Sequence, residues 1–141
     1  MDTSPEFILQ CEKAEEIQAG HKSYCDGWKD GDFYYWSVDD RIKVAYTESF
    51  DDYIVQHPEQ WDFLRGRRVI WLPRQDQLQE MVICHGASDR GALVIDIVRC
   101  FYKWITHTPY NAGLAYSLEE LWLAFVMQEK FKKKWTGEEW K

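Results

Sequence analysis

Over residues 3–19 the apolar side chains Phe7, Ile8, Cys11, Ala14 and Ile17 recur at helical spacing, which predicts one amphipathic helix. Thr3 with Glu6 has the spacing of a capping box, Pro5 suits a first turn, and Gly20 supplies an end. Residues 20–31 are polar, hold three glycines and read as a loop. The period then changes. Residues 33–38 and 41–47 are aromatic and β-branched runs parted by Asp39 and Asp40, the pattern of an antiparallel hairpin. In the second run Ile42, Val44 and Tyr46 alternate with Arg41, Lys43 and Ala45, so one face is buried and the other wet. Residues 53–55 suggest a short strand, 57–63 an irregular stretch or a single helical turn, and 67–72 the next strand, closed by Pro73.

Leu78, Met81 and Val82 predict a short helix over 74–84, with Asp76 in the first turn where a negative charge suits the dipole. Residues 84–91 read as a loop, and Asp89 is placed to cap the next segment. That segment, 90–106, is apolar on nearly its whole circumference, so it belongs either at the centre of the fold or in a subunit interface. A last helix begins at Ser117, which with Glu120 makes a second capping box, and buries Leu118, Leu121, Trp122, Phe125 and Val126. The basic, aromatic tail 130–141 is expected to be peripheral, with its rings packed back on the domain. The pattern predicts an α+β fold: a single domain of 141 residues in which a small antiparallel sheet packs against about four helices.

Aromatic residues make up 16% of the chain, more than a core of this volume needs, and the surplus points to rings at a surface or in a pocket. The net charge of −7 argues against general nucleic-acid binding, which depends on clustered cations. An acidic surface either solubilises the protein or covers a basic protein site. The absence of a long apolar run and of a basic-then-apolar leader leads to the expectation of a cytoplasmic protein with no membrane partner. Cys11, Cys25, Cys84 and Cys100 lack a CxxC pair and read as reduced thiols. A zinc site from His21, Cys25, Cys84 and His85 has only one close pair, so neither a metal nor a cofactor is expected.

The strings Trp71-Leu72-Pro73-Arg74-Gln75-Asp76-Gln77-Leu78-Gln79-Glu80-Met81 and Ser117-Leu118-Glu119-Glu120-Leu121-Trp122-Leu123-Ala124-Phe125-Val126-Met127 resemble a family of small uncharacterised proteins encoded by phages and prophages of Gram-positive bacteria. Trp135 and Gly137-Glu138-Glu139-Trp140, the opening helix and Gly31-Asp32-Phe33 are similar too, whereas residues 47–66 depart from the pattern. The resemblance implies a context, a phage accessory gene of the kind that acts on a host or defence component. It implies no catalytic residue.

The junction 71–77, where a strand turns at Pro73 into a helix, is the first candidate site. Arg74 is suited to fork onto a phosphate and Trp71 to stack on a base, with Gln75 beside them at the helix start. The competing reading is a structural turn in which Arg74 pairs with a nearby carboxylate. Arg65, Arg67 and Arg68, flanked by Trp61, Phe63 and Trp71, form a second cluster of cations interleaved with rings, of which alternation lets only part converge. For catalysis the adjacent Cys84 and His85 need a distant partner such as His57 or His107, and Asp51 and Asp52 suit a metal or a strand end. Walker, GxSxG, HExxH and dinucleotide signatures are missing from the sequence.

Together these features lead to the expectation of a non-catalytic, oligomeric binding protein that sequesters a small anionic, nucleotide-like ligand through Trp61, Arg65, Arg67, Trp71, Arg74 and Gln75. The alternatives are a protein inhibitor that covers a host nuclease or regulator, and an enzyme with a dispersed active site.

Overall fold

Helix α1 (Pro5–Lys13) is capped by Ser4 and not by Thr3: the Ser4 hydroxyl accepts from the Phe7 N–H at 3.1 Å. Pro5 takes the first helical position, where its missing N–H costs nothing. The single helix expected over residues 3–19 is two. At Ala14 (φ −83°, ψ 67°) the backbone leaves the helical region, and α2 (Glu15–Tyr24) begins at the next residue. The Ala14 N–H reaches the carbonyls of Gln10 and Cys11, while its own carbonyl accepts from Ile17 and Gln18 and so starts α2. Gly20, expected as a helix end, lies inside α2. Apolar spacing did not disclose the break because Phe7, Cys11, Ala14 and Ile17 stay buried on both sides of it.

This is a computed structural model, and it describes residues 1–24, 29–37, 40–45, 69–82, 90–107 and 117–141. The chain falls into two compact units, Thr3–Arg74 and Gln75–Lys141 with Met1–Asp2. The expected short strand at 53–55, the turn at 57–63 and the cap Asp89 lie outside the described residues.

In the first unit β1 (Phe33–Trp36), β2 (Arg41–Val44) and β3 (Val69–Leu72) form an antiparallel sheet in the order β2-β1-β3. The expected hairpin is present, with Phe33 opposite Val44 and Trp36 opposite Arg41. Its turn ends on Asp40 at φ 56°, a left-handed conformation that Asp tolerates, and the Tyr35 hydroxyl donates to the Asp40 carboxylate at 2.6 Å. β3 pairs with the other edge of β1, Tyr34 opposite Trp71. Helices α1 and α2 pack on β3, and Phe7, Cys11, Ala14, Ile17, Ile70 and Leu72 close the core between them.

The second unit holds α3 (Gln75–Val82), α4 (Arg90–His107) and α5 (Leu118–Phe131). The capping box read from the sequence is formed: the Ser117 hydroxyl accepts from the Glu120 N–H at 3.1 Å, and the Glu120 carboxylate accepts from the Ser117 N–H at 3.3 Å. Trp122, Phe125 and Val126 are buried as expected, joined by Leu123 and Met127, whereas Leu118 in the first turn is exposed. Leu78 of α3 is fully buried, and α3 packs on α5. Rings join α4 to α5. Phe101 lies on Trp122 with centroids 4.0 Å apart and planes 6° from parallel, Trp104 tilts against Phe125, and the Trp104 indole N–H donates to the Gln128 side-chain carbonyl at 3.0 Å.

The tail closes as a small hairpin. Lys134 and Lys141 exchange backbone hydrogen bonds, Gly137 supplies the positive φ of the turn, and the rings of Trp135 and Trp140 meet at 5.0 Å. Trp140 is buried, as the sequence led one to expect.

The fold class is therefore α+β, with five helices among the described residues; the count exceeds the expected four because the first helix breaks at Ala14. No helix among the described residues is long and apolar enough to cross a membrane. Ser117→Ala removes the hydroxyl that caps α5 and is expected to destabilise the protein by about 1 kcal/mol. Urea unfolding followed by circular dichroism measures the difference, and an unchanged midpoint would show that the box contributes nothing.

Candidate functional site

Asp32 stands in the short stretch that leads into β1, and its carboxylate is buried. A buried carboxylate needs partners, and the first unit supplies them from three directions. His21 of α2 places Nε2 at 3.1 Å from Oδ2, and the Lys29 backbone N–H donates to the same oxygen at 3.0 Å. Arg74, just beyond β3, brings a guanidinium nitrogen to 3.8 Å from Oδ1. That nitrogen also donates to the Gly31 carbonyl at 2.8 Å. Gly31 sits at φ 85°, which a residue with a Cβ adopts only with strain. The Asp32 carbonyl accepts from the Ala45 N–H, and the Gly31 N–H donates to the Ala45 carbonyl, so the same residues also fix the end of β2.

Trp71 extends this chain of contacts. Its indole stacks on the His21 imidazole, centroids 4.1 Å apart and planes 28° apart, and only 4% of the residue is exposed. The indole Nε1 is buried without a hydrogen-bond partner among the described residues. Gln18 serves the Trp71 backbone as another strand would: its side-chain carbonyl accepts from the Trp71 N–H at 3.0 Å, and its amide donates to the Trp71 carbonyl at 2.9 Å. The amide also donates to the carbonyl of Cys11 at 3.1 Å, one of those left over at the end of α1.

Of the six residues expected to bind ligand, Trp61, Arg65 and Arg67 lie outside the described residues. Trp71 and Arg74 are brought together, through His21 and Asp32, and the carboxylate that the structural reading of Arg74 required is Asp32. In this arrangement the Trp71 ring packs the interior and Arg74 braces the loop before β1. Gln75 is the half-buried first residue of α3.

The His21–Asp32 pair has the geometry with which a carboxylate orients an imidazole. Both side chains are more than nine-tenths buried, so the pair is placed to hold the fold and not to meet a substrate. Of the proposed zinc ligands only His21 is described; Cys25, Cys84 and His85 are not, nor are His57, Asp51 and Asp52. Cys11 is a buried free thiol and Cys100 an exposed one. His107 is exposed on α4, with Nδ1 2.8 Å from the Lys103 carbonyl. No group of three or more metal-ligating side chains occurs among the described residues.

The surface that combines rings with cations lies elsewhere in the same unit. Side chains opposite one another in an antiparallel pair point to the same face, so Tyr34, Trp36, Arg41, Lys43, Val69 and Trp71 share one side of the sheet. At the Trp71 end that side is covered by His21. At the other end Trp36 and Lys43 are half-exposed and Arg41 is exposed. The Lys43 ammonium stands 4.5 Å from the centre of the Trp36 ring, the diagonal contact expected between neighbours on one face. Arg41, directly across from Trp36, has no side-chain partner among the described residues. Arg41 and Lys43 are two residues apart on a strand, which spaces them by about 7 Å. The burial alternation expected for 41–46 is seen only in part: Arg41 is exposed, but Ile42, Lys43 and Val44 are all half-buried and Ala45, expected on the wet face, is buried. The missing information was the register, which puts Trp36 directly across from Arg41 and diagonal to Lys43.

No family model, curated protein or solved structure matches the chain.

Asp32→Ala leaves His21 and the Lys29 N–H without their buried acceptor, and is expected to destabilise the protein by about 3–5 kcal/mol. Denaturant titration of the purified variant provides the measurement. A loss under about 1 kcal/mol would show that water or other groups replace the carboxylate and that the cluster is incidental.

Proposed function

We propose that this protein works by binding, and that it takes a small anionic, ring-bearing ligand of the nucleotide kind on the wet face of the β1–β2 hairpin. The observation that carries this reading is Trp36 with Arg41 directly across from it and the Lys43 ammonium against its ring. An indole face stacks on a base with little regard to its identity, while a guanidinium and an ammonium on one face of the same strand suit phosphate oxygens. The overall charge of −7 favours a small anion over a polynucleotide, whose many phosphates would meet acidic surface beyond so short a cationic strip. The phage setting implied by the sequence resemblance fits a protein that holds a nucleotide signal away from a host receptor. This surface lies within one chain and does not require an oligomer.

The second reading, a protein that covers a host nuclease or regulator, has one observation in its favour: four apolar side chains of α4 are exposed.

Titration with mononucleotides and cyclic dinucleotides, followed by tryptophan fluorescence and calorimetry, tests the proposal. The wild type is expected to bind at least one of them, and Arg41→Glu with Lys43→Glu to weaken binding by about a hundredfold, two charge-assisted contacts being lost. Ligand recovered unchanged after denaturation supports a binding protein, whereas a converted product supports the dispersed enzyme. Equal affinity in the double variant would remove the hairpin face from consideration.

A further inference from the structure

Helix α4 presents a second surface, and its chemistry differs from that of the hairpin face. Val94 is 51% exposed, Ile95 55%, Val98 54% and Tyr102 66%. At 3.6 residues per turn all four fall within about 60° of Val98, forming a continuous stripe about 12 Å long. Val94, Val98 and Tyr102 stand at i, i+4 and i+8, the spacing with which a helix anchors itself in an apolar groove or against another helix. On one side the stripe adjoins the buried rings, where Phe101 and Trp104 meet Trp122 and Phe125.

On the other side it is bordered by Arg99 and then Lys103, both exposed. The Lys103 ammonium has no partner among the described residues, and Arg99 has only Asp96 at 3.5 Å, an ion pair whose two side chains are 71% and 67% exposed. A pair so open to water contributes little, so a carboxylate arriving from outside competes for Arg99 on near-equal terms. In a chain of net charge −7 this flank is a local reversal of sign.

We infer that the α4 stripe docks a protein partner through an apolar helix that carries acidic residues along one side, the side that meets Arg99 and Lys103. A second copy of this chain suits the surface less well. Two α4 helices laid antiparallel about a two-fold axis bring like flanks together, setting Arg99 and Lys103 of one copy beside the same residues of the other. An acidic partner turns that repulsion into attraction and fixes the direction in which the helix lies. The inference does not rest on the nucleotide reading, which concerns the hairpin of the other unit.

Two synthetic helical peptides with the same leucine stripe, one flanked by glutamates and the other by lysines, test it by fluorescence anisotropy. The glutamate peptide is expected to bind, and the lysine peptide to bind about tenfold more weakly or not at all. Val98→Asp abolishes binding of the glutamate peptide, and Arg99→Glu with Lys103→Glu reverses the preference. These positions are exposed, and circular dichroism checks that each variant keeps its fold. Equal binding of the two peptides, binding indifferent to Val98→Asp, or no binding of the glutamate peptide at roughly millimolar concentration overturns the inference. Sedimentation velocity that finds a dimer dissolved by Val98→Asp also overturns it, and assigns the stripe to a second copy. Nucleotide affinity is expected to be unchanged in all these variants, so the two proposals fail separately.

Discussion

A buried carboxylate is tolerable only where its oxygens are met, and Asp32 is met by a neighbour in its own loop and by two segments more distant in sequence. His21 comes from α2, Lys29 from the loop, and Arg74 from the exit of β3. Each contact alone is ordinary. Together they tie the helices to the near end of the sheet and hold Gly31 in the conformation that lets it reach both Arg74 and Ala45. The stacked pair of His21 and Trp71 and the double hydrogen bond of Gln18 extend the same constraint along β3, which gives the edge of the sheet neighbours from a helix. Trp71 and Arg74, which the sequence offered as part of a pocket, are in this way drawn into the support of the sheet.

That support determines which part of the sheet remains open. The side of β1 and β3 nearest α2 is closed over by His21, and the open end of the same side is the one that carries Trp36, Arg41 and Lys43. A short antiparallel pair gives little freedom to its side chains: once Trp36 is opposite Arg41, Lys43 is the diagonal neighbour and its ammonium falls within reach of the ring. The cluster of Trp36, Arg41 and Lys43 is thus a consequence of register, and the register depends on a turn that the Tyr35–Asp40 hydrogen bond helps to fix.

Local signals in the sequence were the most informative. The box at Ser117 and Glu120, the hairpin, and the helical segments at 75–82 and 90–107 were legible because each depends on residues only a few positions apart. The cap at Ser4 was missed by one residue, since Thr3 and Ser4 both precede a suitable first turn. The break at Ala14 left no trace in the apolar spacing, because the buried face continues through it. Asp32 had no local signature at all: its partners are 3, 11 and 42 residues away, and nothing short of the folded chain joins them. For α4 the sequence conveyed how apolar the helix is but not that a stripe of it is uncovered, because periodicity is the same for a stripe that is covered and one that is not.

Two surfaces, one in each unit, are thus proposed for binding. One is polar and aromatic, suited to a small anion; the other is apolar with a cationic border, suited to a protein helix. The proposed role of the hairpin face is to select a nucleotide-like molecule. Native mass spectrometry of the protein after equilibration with a small-molecule extract of Gram-positive cells tests it most directly, with the variant Arg41→Glu, Lys43→Glu measured alongside. An added mass that belongs to a nucleotide is expected on the wild type and is missing from the variant. Bare protein in both samples, or the same adduct on both, would contradict it.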